Sequence, residues 1–165
     1  EDINEMEKML NEYLQFTSSS YLDKDELFNL SDLIEDTINK YNNKNISKNI
    51  TSRVYFNGRK SLIKRCINNL IDNSIKYGDK VKIELSKKNN NIFIKIEDDG
   101  PGIPEQEYEN VFKPFYKIDK ARADSKSSVG LGLSIASDII QSHGGNIKLE
   151  KSPLSGLSVK IFLPV

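Results

Sequence analysis

Two asparagines four residues apart, Asn69 and Asn73, are the side chains of this sequence best placed to do chemistry, and Lys76 and Tyr77 follow them closely. On a helix, at about 100° per residue, these four positions fall within roughly 100° of one another. Amides beside a core need hydrogen-bond partners. Two carboxamides followed by a cation and an aromatic ring suit a metal-bound polyphosphate attached to a flat base. The alternative is a solvated helix face in an Asn-rich protein.

A second candidate site is the acidic, glycine-rich loop Asp98-Asp99-Gly100-Pro101-Gly102-Ile103, which directly follows the alternating run 92–97, a predicted strand. Two glycines spaced by one residue let the backbone turn tightly and approach a ligand closely. Asp99 could then accept a hydrogen bond from an exocyclic amine such as that of adenine. An ordinary acidic turn is the alternative interpretation.

A third candidate, Gly130-Leu131-Gly132-Leu133, opens a predicted helix at 131–142. Glycines at a helix N-terminus expose amides and the positive end of the dipole to phosphate. The alternative is a plain flexible helix start. The stretch is not a P-loop, since no Gly-Lys-Ser/Thr follows. It is not a dinucleotide fingerprint either, because the third glycine is missing.

Between these glycine loops lies a basic segment without apolar periodicity. Val111-Phe112-Lys113-Pro114-Phe115 precedes it, and residues 116–128 contain four cations: Lys117, Lys120, Arg122 and Lys126. Such a segment predicts a mobile lid able to contact phosphates. Solvated disorder is the alternative.

The elements that must position these residues follow from periodicity. Strands are predicted at 27–30, 54–56, 81–86, 92–97, 147–151 and 157–163, the last four as two hairpins. Helices are predicted at 31–41, with Ser31 as the N-cap, and at 131–142. A further helix is predicted to carry Asn69, Asn73, Lys76 and Tyr77, which we call the amide stripe. Asn57-Gly58 is predicted to turn and the residues after Tyr41 to form an Asn/Lys loop. The result is an α+β, two-layer sandwich with three helices on one face of a mixed, mainly antiparallel sheet.

Two features flank this layout. A heptad-like stripe in residues 1–17 predicts a helix that docks on another helix: Ile3, Met6, Leu10, Tyr13 and Thr17. His143 precedes Gly144-Gly145 at a predicted helix C-terminus, where a cation is mildly favoured, and we interpret it as a structural cap.

Composition excludes several classes of function. The chain has 165 residues, 37% of them apolar, and a formal net charge of zero without a basic block, which gives no support to nucleic-acid binding. No apolar run of about 18 residues is present. The single Cys66 excludes an internal disulfide and favours a reducing compartment. Because the chain opens at Glu1 in a helical pattern, we expect it to be a piece of something longer.

Taken in order, the motifs resemble those of the ATP-binding domain of bacterial sensor histidine kinases, in the gyrase, Hsp90, histidine kinase and MutL superfamily. Residues 69–77 resemble its N box, 98–103 the first glycine box and 112–115 the F box. Residues 130–133 resemble the second glycine box and 143–145 a shorter third one. The resemblance covers about residues 25–165, and implies a Bergerat-type sandwich over 21–165. Residues 1–20 resemble the end of a second dimerisation helix, as in EnvZ-like osmosensor kinases.

The resemblance implies a role for each matching residue. Asn73 would ligate Mg²⁺, Asn69 would help hold the triphosphate and metal, and Lys76 would meet the outer phosphates, these three being the catalytic set. Tyr77 would line the adenine and Asp99 would bond its amino group. The remaining implied ATP contacts come from the glycine loops, the F box and the lid: Gly100, Gly102, Ile103, Phe112, Lys117, Gly130, Leu131, Gly132 and Leu133.

Two departures and two alternatives accompany the resemblance. Ser128-Val129 stands where the second glycine box often begins with Gly, and the phosphoacceptor histidine motif is absent. ATPase relatives carry Glu where this chain has Asn69, and a carboxamide cannot take a proton from water. We therefore predict transfer to a histidine rather than hydrolysis, with a nucleotide-binding scaffold as the third reading.

The predicted setting follows from the same resemblance. The chain would be the cytoplasmic catalytic domain of an inner-membrane sensor that is a homodimer at full length. Its partners would be its own dimerisation and phosphoacceptor domain and a response regulator, with no nucleic acid.

Overall fold

A computed structural model of the chain describes residues 24–41, 45–114, 116 and 132–165. It also describes six helical, exposed positions near the N-terminus: Asn4, Glu7, Lys8, Leu10, Asn11 and Leu14. The predicted boundary between 1–20 and 21–165 stays a prediction. Of the heptad-like stripe, Leu10 is described, and the remaining positions lie outside the described residues: Ile3, Met6, Tyr13 and Thr17.

The described residues form seven strands and three α-helices. In chain order these are β1 Glu26–Asn29, α1 Leu30–Asn39, β2 Asn45–Ile50, β3 Tyr55–Gly58, α2 Lys60–Tyr77, β4 Lys80–Lys88, β5 Asn91–Asp98, α3 Gly132–Ser142, β6 Asn146–Lys151 and β7 Leu157–Pro164. Two short 3₁₀ turns, Glu105–Glu107 and Asn110–Phe112, lie between β5 and α3.

The main sheet has the strand order β2-β4-β5-β7-β6. β2 and β4 run parallel, and every other neighbouring pair is antiparallel. Both predicted hairpins are confirmed, since β4 pairs with β5 and β6 pairs with β7. β1 and β3 form a separate two-stranded antiparallel sheet. The sheet is therefore mixed and mainly antiparallel, as predicted.

The core lies between the sheet and the helices. Alternate residues of the central strands, among them Ile83, Ile94 and Ile161, are buried in one cluster with the apolar face of α2. α2 also packs against α3, where the Sγ atom of Cys66 lies 3.8 Å from the carbonyl oxygen of Ala136. Cys66 is fully buried. The predicted α+β sandwich is confirmed.

The other face of the sheet carries charged residues of both signs. Glu84 accepts from Lys82 at 3.2 Å and from Lys95 at 3.1 Å, and Lys160 lies 2.7 Å from Glu150. This is the polar side of an antiparallel sheet whose residues alternate between two faces.

The predicted boundary between β1 and α1 was wrong by one residue, and so was the cap. Leu30 begins the helix, and the Asn29 Oδ1 accepts from the Asp32 backbone N–H at 3.1 Å, which makes Asn29 the N-cap. Ser31 instead is buried, with its Oγ donating to the Thr51 carbonyl at 2.6 Å and accepting from the Val54 N–H at 3.0 Å. Its hydroxyl therefore ties the helix start to the chain before β3.

The predicted Asn/Lys loop contains a strand that was missed, β2. Its sequence is mostly polar and its residues are mostly exposed, because it is an edge strand paired on one side only. Ile46 and Ile50 still pack against the core. Asparagine-rich segments have low β propensity, so pairing with β4 decides the conformation here.

Asn57-Gly58 was predicted to turn but lies inside β3, opposite Leu27 and Glu26. A glycine is needed here for space, since a Cβ at Gly58 would lie 2.8 Å from a ring carbon of His143. The glycine signals close packing against a ring and not a hairpin turn.

Candidate functional site

The amide stripe lies on α2 as predicted. Asn69 and Asn73 are half-buried, and so are Lys76 and Tyr77 in the last turn. The opposite side of the helix is buried in the core. The helix ends at Gly78, whose N–H donates to the Ser74 carbonyl at 2.8 Å.

The acidic glycine loop packs directly on the C-terminal end of α2. A Cβ at Gly100 would lie 2.5 Å from the Tyr77 carbonyl oxygen, and a Cβ at Gly78 would lie 2.8 Å from the Asp98 Cβ. Neither position has room for a side chain. The structure therefore brings together two motifs that are more than twenty residues apart in sequence.

Asp99, the predicted adenine contact, holds the start of β4. Its Oδ1 accepts from the Asp79 N–H at 2.7 Å and from the Lys80 N–H at 2.8 Å. The hydrogen bond from Lys80, helped by that from Asp79, lowers the pKa of the Asp99 carboxyl. The side chain is thus ionised and committed to two backbone amides.

Asp98, which the sequence reasoning passed over, is the buried carboxylate of this loop, with 4% exposure. Its Oδ1 accepts from the Gly100 N–H at 2.9 Å and from the Leu157 N–H at 3.2 Å. Side chains alternate along a strand, so Asp98 shares the face of Ile94 and Ile96, which is the helix side. The sequence signal for this burial was the spacing of two residues that places Asp98 in line with Ile94 and Ile96.

The loop after the glycines is anchored by apolar side chains. Ile103 and Phe112 are partly buried and pack against the core, and the Asn110–Phe112 turn contacts α3. Gly102 has a φ of +72°, a conformation that favours glycine. Tyr116 donates its hydroxyl to Glu107, which raises the pKa of Tyr116.

The second glycine motif is described only in part. Among the residues that the structure describes, a Cβ at Gly132 would meet nothing within 4 Å, and Leu133 packs against the core. The other predicted residues of this region lie outside the described residues: Phe115, Lys117, Lys120, Arg122, Lys126, Gly130 and Leu131.

The N-terminus of α2 is joined to the C-terminus of α3 by Arg59, Ser142 and His143, which we call the interhelix latch. The Arg59 N–H donates to His143 Nε2 at 3.0 Å, and the Arg59 guanidinium donates to Ser142 Oγ at 2.8 Å. His143 Nδ1 lies 2.7 Å from the Ile139 carbonyl oxygen and must donate to it. The ring is therefore neutral.

This corrects one part of the prediction for His143. The residue is structural, as predicted, but a cation is not favoured there. Burial lowers the pKa of His143, and the nearby Arg59 lowers it further, against the opposing hydrogen bond to Ile139 and the charge of Asp25. The desolvation of a half-buried ring outweighs the helix dipole.

The single acid on α2, Asp72, is exposed and accepts a hydrogen bond from the Tyr41 hydroxyl. Burial, followed by this bond, raises the pKa of Tyr41. Asp72 therefore tethers the chain after α1 and lies beside the amide stripe rather than in it.

Residues 58–165 match the family described as histidine kinase-, DNA gyrase B-, and HSP90-like ATPase. The chain belongs to this family. The match covers more than half of the chain and includes every motif of the candidate site, so the resemblance at the superfamily level is confirmed.

Individual relatives agree with this assignment. Sensor histidine kinase GtrS of Pseudomonas aeruginosa is 37% identical over 107 residues, covering 65% of this chain and 22% of the relative. Sensor histidine kinase CpxA of Escherichia coli is 36% identical over 109 residues, covering 66% and 24%. The chain thus spans about a quarter of the length of these curated relatives. The finer resemblance to EnvZ-like kinases stays a prediction.

A solved structure confirms the fold independently. The ATP binding domain of PrrB from Mycobacterium tuberculosis superposes with a TM-score of 0.69 at 26% identity, covering 86% of this chain and 98% of that one. Among the described residues, no helix is both long and apolar enough to cross a membrane.

Proposed function

We propose that this chain is the catalytic, ATP-binding part of a two-component sensor histidine kinase. It would bind Mg·ATP and present the γ-phosphate to a histidine on a separate dimerisation domain. The observation that carries the proposal is the packing of the first glycine loop onto the end of α2. This packing places a buried carboxylate and close-approach glycines beside the half-buried amide stripe.

The residues present fit a magnesium nucleotide. Among the described residues no group of three or more His, Cys, Asp or Glu side chains could hold a metal. Mg²⁺ commonly takes one or two protein oxygens together with waters and substrate phosphates, so the Asn73 carboxamide is chemically sufficient. Bound there, Mg²⁺ would neutralise charge on the phosphates. Asn69 and Lys76 would hold the triphosphate, and Tyr77 would line the base.

The glycine loops and the apolar anchors complete the proposed site. Gly100 and Gly102 would let the backbone approach the base, with Ile103 and Phe112 beside it. The second glycine motif and one lid cation would meet the phosphates: Gly130, Leu131, Gly132, Leu133 and Lys117. Catalysis would come mainly from positioning and charge neutralisation.

Two carboxylates compete for the role of reading the adenine amino group. The sequence assigns it to Asp99, and that assignment stays a prediction. Asp98 is the stronger candidate, because it lies on the helix side of β5, whereas Asp99 is turned to the backbone at the start of β4. We therefore propose Asp98 for this role and Asp99 as the support of the β4 start.

Transfer is favoured over hydrolysis by what α2 lacks. Asn69 cannot take a proton from water. The single acid on α2, Asp72, lies beside the stripe and accepts a hydrogen bond from Tyr41. A neutral imidazole is already nucleophilic and needs no base from this domain.

The rest of the proposed setting concerns the longer protein. We propose a homodimeric, membrane-anchored sensor with this domain in the cytoplasm, a dimerisation helix at residues 1–20 and a response regulator as the receiving partner. The relatives named above are sensor kinases, which supports this setting.

The test is a radiolabelled transfer assay with the 165-residue chain, Mg·ATP and a separately purified dimerisation domain from a related sensor kinase. We expect label on the histidine of the supplied domain and little free phosphate with ATP alone. Brisk phosphate release by the chain alone would replace the kinase proposal with the ATPase one. Binding of ATP without either reaction would favour the scaffold.

A further inference from the structure

The turn between β6 and β7, residues 152–156, is held rigidly by its own hydrogen bonds. The Ser152 N–H donates to the Gly156 carbonyl at 2.8 Å, and the Ser155 N–H donates to the Ser152 carbonyl at 3.0 Å. The Ser152 hydroxyl, itself buried, accepts from the Leu154 N–H at 2.9 Å. The turn is thus a preformed structure and not a loose connection.

This turn contacts the first glycine loop through backbone groups. The Gly156 N–H donates to the Asp98 carbonyl at 3.1 Å, and the next amide, that of Leu157, donates to Asp98 Oδ1. Gly100 donates to the same oxygen from the other side. One carboxylate oxygen is therefore held between two amides from two different loops.

The contact is possible only because residue 156 has no side chain. A Cβ there would overlap both the Oδ1 and the carbonyl oxygen of Asp98 and would lie 2.6 Å from the Gly100 nitrogen. A Cβ at Gly102 would in turn lie 3.4 Å from the Gly156 carbonyl oxygen. Any side chain at 156 must push the glycine loop away from the β6–β7 turn.

We propose that Gly156 is a positioning residue for nucleotide binding: the β6–β7 turn fixes the rotamer of Asp98 and the path of the loop 98–102. This rests on the proposed function of the loop. Gly156 acts through Asp98 and does not touch the base. It therefore governs which base is accepted more than whether the domain folds.

The test compares the binding of Mg·ATP and Mg·GTP to the 165-residue chain and to its Gly156→Ala variant by calorimetry. We expect the variant to lose about tenfold or more in its preference for ATP over GTP. The matched control is Gly58→Ala, whose Cβ would lie 2.5 Å from a ring carbon of Phe56, outside the glycine loops. Its preference should be unchanged. An unchanged preference in Gly156→Ala, or an equal loss in both variants, would overturn the proposal.

A readout without ligand separates this inference from the proposed function. Hydrogen exchange of the Gly100 amide, followed by NMR in the free protein, should be about tenfold faster or more in Gly156→Ala, because its acceptor moves. If the unmodified chain binds no ATP, the proposed function fails and the exchange rate still decides the positioning role. If Gly156→Ala does not fold, Ser152→Ala decides, since it loosens the turn without adding bulk. Normal exchange at Gly100 in that variant would then refute the proposal.

Discussion

At the scale of single residues, the two adjacent carboxylates at the end of β5 show how a strand separates roles. Asp98 and Asp99 look equivalent in sequence, yet one is buried between two loops and the other caps the start of β4. Strand alternation makes the difference, and the strand had been predicted. The strand and the loop that follows it were thus predictable from sequence, whereas the roles of the site residues stay predictions. The division of labour between them required the contacts of Leu157, which is distant in the chain.

Asn73 provides the first prediction. Asn73→Ala should weaken Mg²⁺-dependent ATP binding by about 1–3 kcal/mol, because one metal-bound or hydrogen-bonded group is lost, and should abolish transfer. The fold should survive, since the side chain lies outside the core. Calorimetry with and without Mg²⁺ measures the change. Asn68→Ala, on the same helix but outside the stripe, is the control, and equal losses in both variants would contradict the assignment.

The second prediction separates the two carboxylates. Asp98→Asn should reduce the preference for ATP over GTP about tenfold or more, because guanine presents a carbonyl where adenine presents an amine. Asp99→Asn should keep the preference and lower the folding stability, because its two backbone hydrogen bonds lose their charged acceptor. Nucleotide titration and urea denaturation measure the two effects. The reverse pattern would return the adenine role to Asp99.

At the scale of elements, the interhelix latch connects the helix that carries the amide stripe to the helix that the second glycine motif begins. Arg59 has no side-chain capping bond within α2, and its guanidinium reaches the end of α3 instead. The Phe56 ring lies against His143, with ring centroids 5.7 Å apart. The two helices are therefore held at the end remote from the glycine loops.

The third prediction is a pH dependence of stability from His143. Its pKa is lowered in the folded state, so the unfolded chain binds the proton more readily. The neutral His143 ring contributes its full share of the folding stability above pH 6.5, which is about the ordinary histidine pKa. This share is lost as the pH falls through the lower pKa that His143 has in the folded state. Urea midpoints measured from neutral pH downward should fall. The His143→Gln variant keeps an acceptor for the Arg59 N–H but cannot titrate, so its urea midpoints should fall less on acidification. If the midpoints of both proteins fell equally with pH, the role of His143 in the interhelix latch would be contradicted.

How far the elements could be predicted depended on their burial. The two hairpins and α2 were predicted because their apolar periodicity is complete. β2 was missed because an edge strand buries little and its conformation comes from its partner β4. The cap at Asn29 and the strand residue Gly58 were misread because Asn and Gly also serve in turns. In each case a contact with a distant segment decided between two local conformations.

At the scale of the whole molecule, the open face of the sheet carries a ladder of ion pairs between neighbouring strands. Glu84 of β4 pairs with Lys95 of β5, and Lys160 of β7 pairs with Glu150 of β6, while Lys95 and Lys160 lie opposite each other in the register. The hydrogen bond from Lys95 lowers the pKa of Glu84, and the same bond raises that of Lys95.

The fourth prediction tests how much this ladder stabilises the fold. Glu84→Gln should cost less than about 1 kcal/mol in unfolding free energy, because exposed ion pairs are screened by water. The cost should shrink further at high ionic strength. Urea denaturation at low and high salt measures it. A loss of several kcal/mol that salt does not reduce would contradict the small contribution expected of these pairs.

The burial of Cys66 makes the chain its own reporter of opening. Burial raises the pKa of this thiol to about 12, and it is the only cysteine of the sequence. A thiol reagent reaches it after the packing around Cys66 opens, so the labelling rate reports how often this part of the core is exposed. A nucleotide that binds only the folded form, in which Cys66 is buried, must slow labelling by the factor 1 + [L]/Kd. The rate of Cys66 labelling in the unmodified protein therefore measures the affinity of any nucleotide, without a fluorophore or an engineered site.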